Sequence, residues 1–169
     1  SLESDSSVFA PLVKACLTLD QARALVQFIR ALVAFSRGSS GVTPAPGSTN
    51  KNTVVMTAGR GRGKSAALGL GITAAVEAGL PGIAVTAPSP ENLSTVMQFV
   101  MRGLEAMDYQ EHIDFEVTRS TEADHNKAII RIDIFRKTNM KCIFYMERWE
   151  THKLGQVDLV CIDEAAAIP

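Results

Sequence analysis

The sequence predicts an α/β fold built on a mostly parallel sheet. Short β-branched runs alternate along the chain with stretches of helical period, the order that lays parallel strands beside crossover helices. A glycine-rich turn joins the first such run to the helix after it, and two acids close the last. The 169 residues, 46% hydrophobic and 21% charged, suffice for one domain with its own core.

Residues 8–35 read as helical, with Leu25, Val26, Ile29, Leu32 and Val33 at a 3.6 period. Thr18-Leu19-Asp20-Gln21 has the capping-box form. A long helix is expected to begin there, after a shorter one before Cys16. Residues 36–52 hold Gly, Ser, Thr and Pro and read as a flexible surface loop inside the domain. A buried strand is expected at 53–57, a helix at 64–78 stopped by Gly79, and a second buried strand at 83–86. Ser89 as N-cap and Pro90 at the first helical position open another helix. Its Leu93, Val96, Met97, Val100, Met101, Leu104 and Met107 form one core-facing stripe. Residues 128–135 alternate Ile130, Ile132 and Ile134 with Arg131 and Asp133, and 142–146 are apolar; with polar residues between, they read as an inserted β-hairpin. The strand at 157–162 delivers Asp163 and Glu164 at its end.

Composition removes several classes of function. No apolar run approaches the roughly 20 residues of a membrane-spanning helix, so no membrane partner is expected. Ser1 to Ser7 is polar and acidic, unlike a secretory leader, and a start at serine suggests an excised or processed piece. Cys16, Cys142 and Cys161 form no CxxC pair, which leaves a zinc-finger reading without support and fits a reducing compartment. Cys16 and Cys161 lie in apolar patterns and are expected to be buried. A net charge of −1 is not that of a stand-alone nucleic-acid binder, so any RNA contact must be local or come from other parts of a larger protein.

The chemistry concentrates in two places. Residues 57–65 read Thr-Ala-Gly-Arg-Gly-Arg-Gly-Lys-Ser, a phosphate-binding P-loop with Ala58 at the first glycine position. Gly59, Gly61 and Gly63 let the backbone turn its N–H groups inward as an anion nest, and the following helix adds its N-terminal dipole. Ala58 to Ala66 would cradle the phosphates, with Lys64 on the β- and γ-phosphates and the Ser65 hydroxyl on Mg²⁺. Arg60 and Arg62 could touch phosphate or RNA, or remain solvated. The second place is the strand end: Asp163 would hold Mg²⁺ and Glu164 would position the attacking water, the Walker-B form. Together they predict a P-loop NTPase that binds ATP with Mg²⁺.

Weaker candidates stay open. Gln21 could read an adenine edge or serve only the capping box. The segment from Thr86 to Ser89 could grip a nucleic-acid backbone, though N-capping by Ser89 is the simpler role. His112, His125 and His152 lack metal-ligand spacing, and Trp149 alone is no stacking platform.

Residues 57–70, TAGRGRGKSAALGL, resemble the P-loop segment of the RNA cytidine acetyltransferases. So do LTLDQARAL at 17–25, PSPENL at 88–93, YQEH at 109–112, NKA at 126–128, LGQ at 154–156 and IDEAAAIP at 162–169. The resemblance covers nearly the whole chain and is closest to the eukaryotic, nucleolar branch; Gly59, where the family often has Ala, and a long polar 36–52 loop depart from it. It implies a parent enzyme that acetylates cytidine at N4 in small-subunit rRNA and tRNA, with acetyl-CoA as donor and nucleotide hydrolysis alongside. Residues 1–169 would be part of its RecA-like helicase module, an incomplete domain without the acetyltransferase fold. No arginine finger can be assigned, so the isolated chain is expected to bind nucleotide but hydrolyse it poorly, and the 53–57 strand to lie at an open sheet edge. The alternatives are an RNA helicase motor without acetylation and a non-catalytic nucleotide-binding scaffold in ribosome assembly; a small-molecule kinase is more distant.

Overall fold

The computed structural model describes residues 7–38, 63–137, 139–147 and 149–163. The predicted strand at 53–57 and the 39–52 part of the predicted loop lie outside them. Four α-helices are described: α1 (Ala10–Lys14), α2 (Leu19–Gly38), α3 (Lys64–Glu77) and α4 (Pro90–Ala106). Five strands form one sheet in the order β2-β3-β4-β1-β5: β1 (Gly82–Thr86), β2 (Phe115–Arg119), β3 (Ile129–Ile134), β4 (Lys141–Tyr145) and β5 (Leu159–Ile162). β1 pairs in parallel with both β4 and β5, whereas β3 runs antiparallel to β2 and β4. All strands but β3 therefore point the same way. The predicted hairpin is the β3–β4 pair, with Ile132 opposite Ile143.

β2 is an element the sequence reading does not contain. Its FEVTR run buries only Phe115 fully, so as an edge strand among the described residues it lacks the two-sided apolar signal of a central strand. The helix before the 36–52 segment also runs further than expected. α2 continues to Gly38, so residues 36–38 are helix and not loop; the Ser and Gly there were read as a terminus, yet a helix tolerates both in its last turn.

α3 is apolar on every side, with Ala66, Ala67 and all of 69–76 buried, because it packs on α2 and on α4 and its Leu70, Ile72 and Val76 share one core cluster with Ile83, Val85 and Ile143 of the sheet. Two small residues set its closest approaches. A Cβ on Gly69 would stand 2.5 Å from Phe99 Cβ, and one on Gly103 would stand 2.4 Å from Thr73 Oγ1. Thr73, fully buried, instead donates its hydroxyl to Val100 O at 3.2 Å, tying α3 to α4. α3 ends as predicted: Gly79, at φ +98°, follows the last turn, and Leu80 N donates to Ala75 O. α4 starts as predicted, with Ser89 Oγ accepting from Asn92 N at 3.3 Å.

β1 sits in the core, with Ile83, Ala84 and Val85 fully buried. The α2 face contributes Leu25, Ile29 and Leu32, and α4 contributes Leu93, Val96, Met97, Val100 and Leu104. Cys161 is buried on β5, which pushes its thiol up to about 12. Cys16, expected to be buried, is only partly so, since it lies in the turn between α1 and α2.

Candidate nucleotide site at the strand ends

Parallel β1 and β5 end side by side, with Thr86 opposite Ile162. The next residue, Asp163, donates its backbone N–H to Thr86 O at 3.0 Å and is buried. That bond fixes the carboxylate at the carboxyl edge of the sheet, where α/β folds bind ligands. Ser65, in the first turn of α3, donates its hydroxyl to Asp163 Oδ2 at 2.8 Å. Two residues 98 apart in sequence, the two predicted metal ligands, thus meet.

Gly63 caps α3 from the left-handed region, at φ +76° and ψ 29°, the conformation that glycine enters without a Cβ penalty. Gly63 has no side chain to cap this end of the helix, and a helix start presents its first N–H groups to an anion. Lys64 opens α3, half-buried, with Ser65 and buried Ala66 following. Ala58, Gly59, Arg60, Gly61 and Arg62 lie outside the described residues, and so does Glu164.

Gln21 reaches this corner from the start of α2. It is buried, and a Cβ on Gly63 would fall 2.0 Å from its Nε2. Its backbone N–H takes the Thr18 Oγ1 bond of the predicted capping box, at 3.2 Å. The return arm is shifted by one residue: Gln21 Oε1 accepts from Leu17 N at 2.8 Å, not from Thr18 N. The amide oxygen therefore serves the helix start while the amide nitrogen faces the loop end.

Thr86 opens the segment that the sequence offers as a grip on a nucleic-acid backbone. Its Oγ1 is buried without a hydrogen-bond partner among the described residues. Leaving such a group unsatisfied costs about 1–3 kcal/mol, and it lies on the strand that holds Asp163 in place. The signal available was its position, a polar residue closing an apolar strand.

The other candidates fall elsewhere. His112 is exposed and pairs with Glu116 at 3.2 Å, and Trp149 is 74% exposed. No described helix is long and apolar enough to cross a membrane.

Residues 55–169 match the family model described as RNA cytidine acetyltransferase NAT10/TcmA, helicase domain. The chain belongs to the RNA cytidine acetyltransferase family. It is 46% identical over 166 residues to RNA cytidine acetyltransferase 1 of Arabidopsis thaliana, covering 98% of this chain and 15% of that protein. The Drosophila melanogaster RNA cytidine acetyltransferase is 50% identical over 158 residues, 94% of this chain and 14% of the relative. The Saccharomyces cerevisiae RNA cytidine acetyltransferase is 47% identical over 158 residues, with the same coverage. The chain thus spans about 15% of the length of the relatives it matches, and residues 55–169 of it are the part that matches the helicase-domain model. The sheet, mostly parallel and flanked by helices, is that of a RecA-like domain.

Proposed function

We propose that this helicase domain binds ATP or GTP with Mg²⁺ at the corner formed by Gly63, Lys64, Ser65 and Asp163. The observation that carries this reading is the 2.8 Å hydrogen bond from Ser65 Oγ to Asp163 Oδ2. A hydroxyl and a carboxylate that share a proton at this distance form an oxygen-only donor pair suited to Mg²⁺. When bound, the ion would neutralise phosphate charge. Lys64, at the first position of α3, would hold the β- and γ-phosphates, and the uncapped N–H groups at the start of α3 would complete the anion cradle. Gln21, with its amide nitrogen against Gly63, would donate to the nucleotide base or its phosphate loop. Ala58 to Arg62 would wrap the phosphates, Ala66 would follow in the same helical turn, and Glu164 would position the attacking water.

In the whole protein, nucleotide turnover would accompany acetylation of cytidine at N4 in small-subunit rRNA and tRNA, with acetyl-CoA bound by another domain. Its place of work would be the nucleolus. The names of the relatives, RNA cytidine acetyltransferases, support the RNA substrate and the transfer reaction.

Calorimetric titration of Mg²⁺-ATP and Mg²⁺-GTP, with Lys64→Ala in parallel, tests the reading. Binding in the parent that is lost in the variant is the expected result. Equal binding by both, or none by the folded full-length protein, would overturn it.

A further inference from the structure

A second group of chemistry-bearing side chains lies away from Ser65 and Asp163. Glu122 precedes and His125 ends a short 3-10 turn (Ala123–His125) between β2 and β3, and Glu147 follows β4. One ligand atom from each of the three comes within 4.8 Å of the other two. His125 Nε2 stands 3.4 Å from Glu122 Oε2, and the His125 side chain is only 16% exposed.

The ring is held from its other side. Ser120 is buried, and its Oγ lies 3.0 Å from His125 Nδ1 while accepting Glu122 N–H at 3.2 Å. A metal on Nε2 would require the proton on Nδ1, and the Ser120 oxygen stands where it can accept it. Histidines that ligate metals are oriented in this way, their second nitrogen bonded to a fixed polar group. Tyr145 adds an edge contact to the imidazole, with ring centroids 6.0 Å apart. The third ligand is also placed by its backbone, since Glu147 N donates to Glu150 Oε2 at 3.0 Å.

We propose that Glu122, His125 and Glu147 bind a divalent transition-metal ion of the zinc class. Two carboxylates and one neutral imidazole are three borderline-hard donors, the number that leaves an open coordination position. A dication would offset the repulsion of two carboxylates that converge on one point. The ion would clip the β2–β3 turn to the end of β4. Antiparallel β3 begins at the end where β4 finishes, so the clip lies along the same sheet edge as Asp163. β4 and β5 are separated there by β1 alone, two inter-strand steps of about 4.8 Å each.

The spacing Glu-x-x-His carried no weight in the sequence, because the third ligand arrives from a different strand end. The test uses the full-length protein, stripped of metal and free of nucleotide. Zinc affinity is measured by competition with a chromogenic chelator for the parent, His125→Gln and Glu147→Gln. The parent is expected to bind one zinc ion that each variant binds at least about tenfold more weakly. Equal stoichiometry and affinity in all three would overturn the proposal and leave the three side chains as an ordinary polar cluster. A zinc-edge anomalous map of the parent decides without any variant. A peak about 2.0–2.1 Å from His125 Nε2 is expected, and zinc found only elsewhere would overturn the site.

Discussion

Ser65 Oγ donates a 2.8 Å hydrogen bond to the buried Asp163 carboxylate, joining the first turn of α3 to the end of β5. Asp163→Asn keeps the shape of the side chain but removes its charge. Nucleotide affinity in Mg²⁺ is expected to fall at least about tenfold, or ~1.4 kcal/mol, while the metal-free affinity changes little. Calorimetry in Mg²⁺ and then in excess chelator measures both. A variant whose affinity still rises on adding Mg²⁺ as the parent's does would show that Asp163 is not a ligand.

Gly63 joins two constraints, its φ of +76° and its contact with Gln21. Gly63→Ala should cost about 1–2 kcal/mol for the left-handed backbone alone, plus the overlap with Gln21 Nε2. Adding Gln21→Ala removes the overlap and leaves the backbone penalty. A double-mutant cycle on unfolding free energies is expected to show a favourable coupling between the two changes; strict additivity would mean that the amide swings aside freely.

Gly69 has no such escape. Its added Cβ would meet Val96 O at 2.6 Å as well as Phe99 Cβ at 2.5 Å, and one of those is backbone. Gly69→Ala should gain about 1 kcal/mol of helix propensity yet lower stability, because parting α3 from α4 costs about 1–3 kcal/mol and strains the Thr73–Val100 bond. Denaturant midpoints decide the sign.

An acid-sensitive link lies at the far end of α3. Burial pushes the Glu77 carboxyl up, but the Tyr109 hydroxyl and the Lys137 ammonium, 3.1 Å away, outweigh it and hold the group below its usual range. A lowered carboxyl stabilises the fold above its unfolded value, about 4.3, and that contribution disappears as pH falls through the lowered folded value. Tyr109→Phe should therefore cost about 1–3 kcal/mol near neutrality, with a smaller deficit once Glu77 is protonated. Urea unfolding at neutral and acid pH reads both. An equal deficit at the two would place the effect in packing, including the Arg136 guanidinium over the Tyr109 ring.

The parts of the fold legible in the sequence were those with local causes. Ser89 and Pro90 open α4 and Gly79 closes α3 because capping acts over three or four residues. The meeting of Ser65 with Asp163 was legible through two short motifs whose spacing to each other means nothing in one dimension. β2 was not legible, since an edge strand with a single buried residue, Phe115, has no pattern to read. Half of the Thr18–Gln21 box was legible; the displaced arm was not, because only the folded chain shows that Leu17 N is the nearer donor. Glu122, His125 and Glu147 come from two loops that β3 and β4 bring together, and no window along the chain contains them.

Pairing on both sides gives β1 one more consequence. β1 spends its backbone groups on β4 at one side and β5 at the other, and its side chains are buried. β2 and β5 are the outermost of the described strands, and β2 leaves Glu116, Thr118 and Arg119 exposed. Deuterium should therefore enter the sheet from β2 and reach the β1 amides last. The turn that carries Glu122 can open on a fast clock of its own, while the corner at Ser65 and Asp163 keeps the slow time of the strand that anchors it.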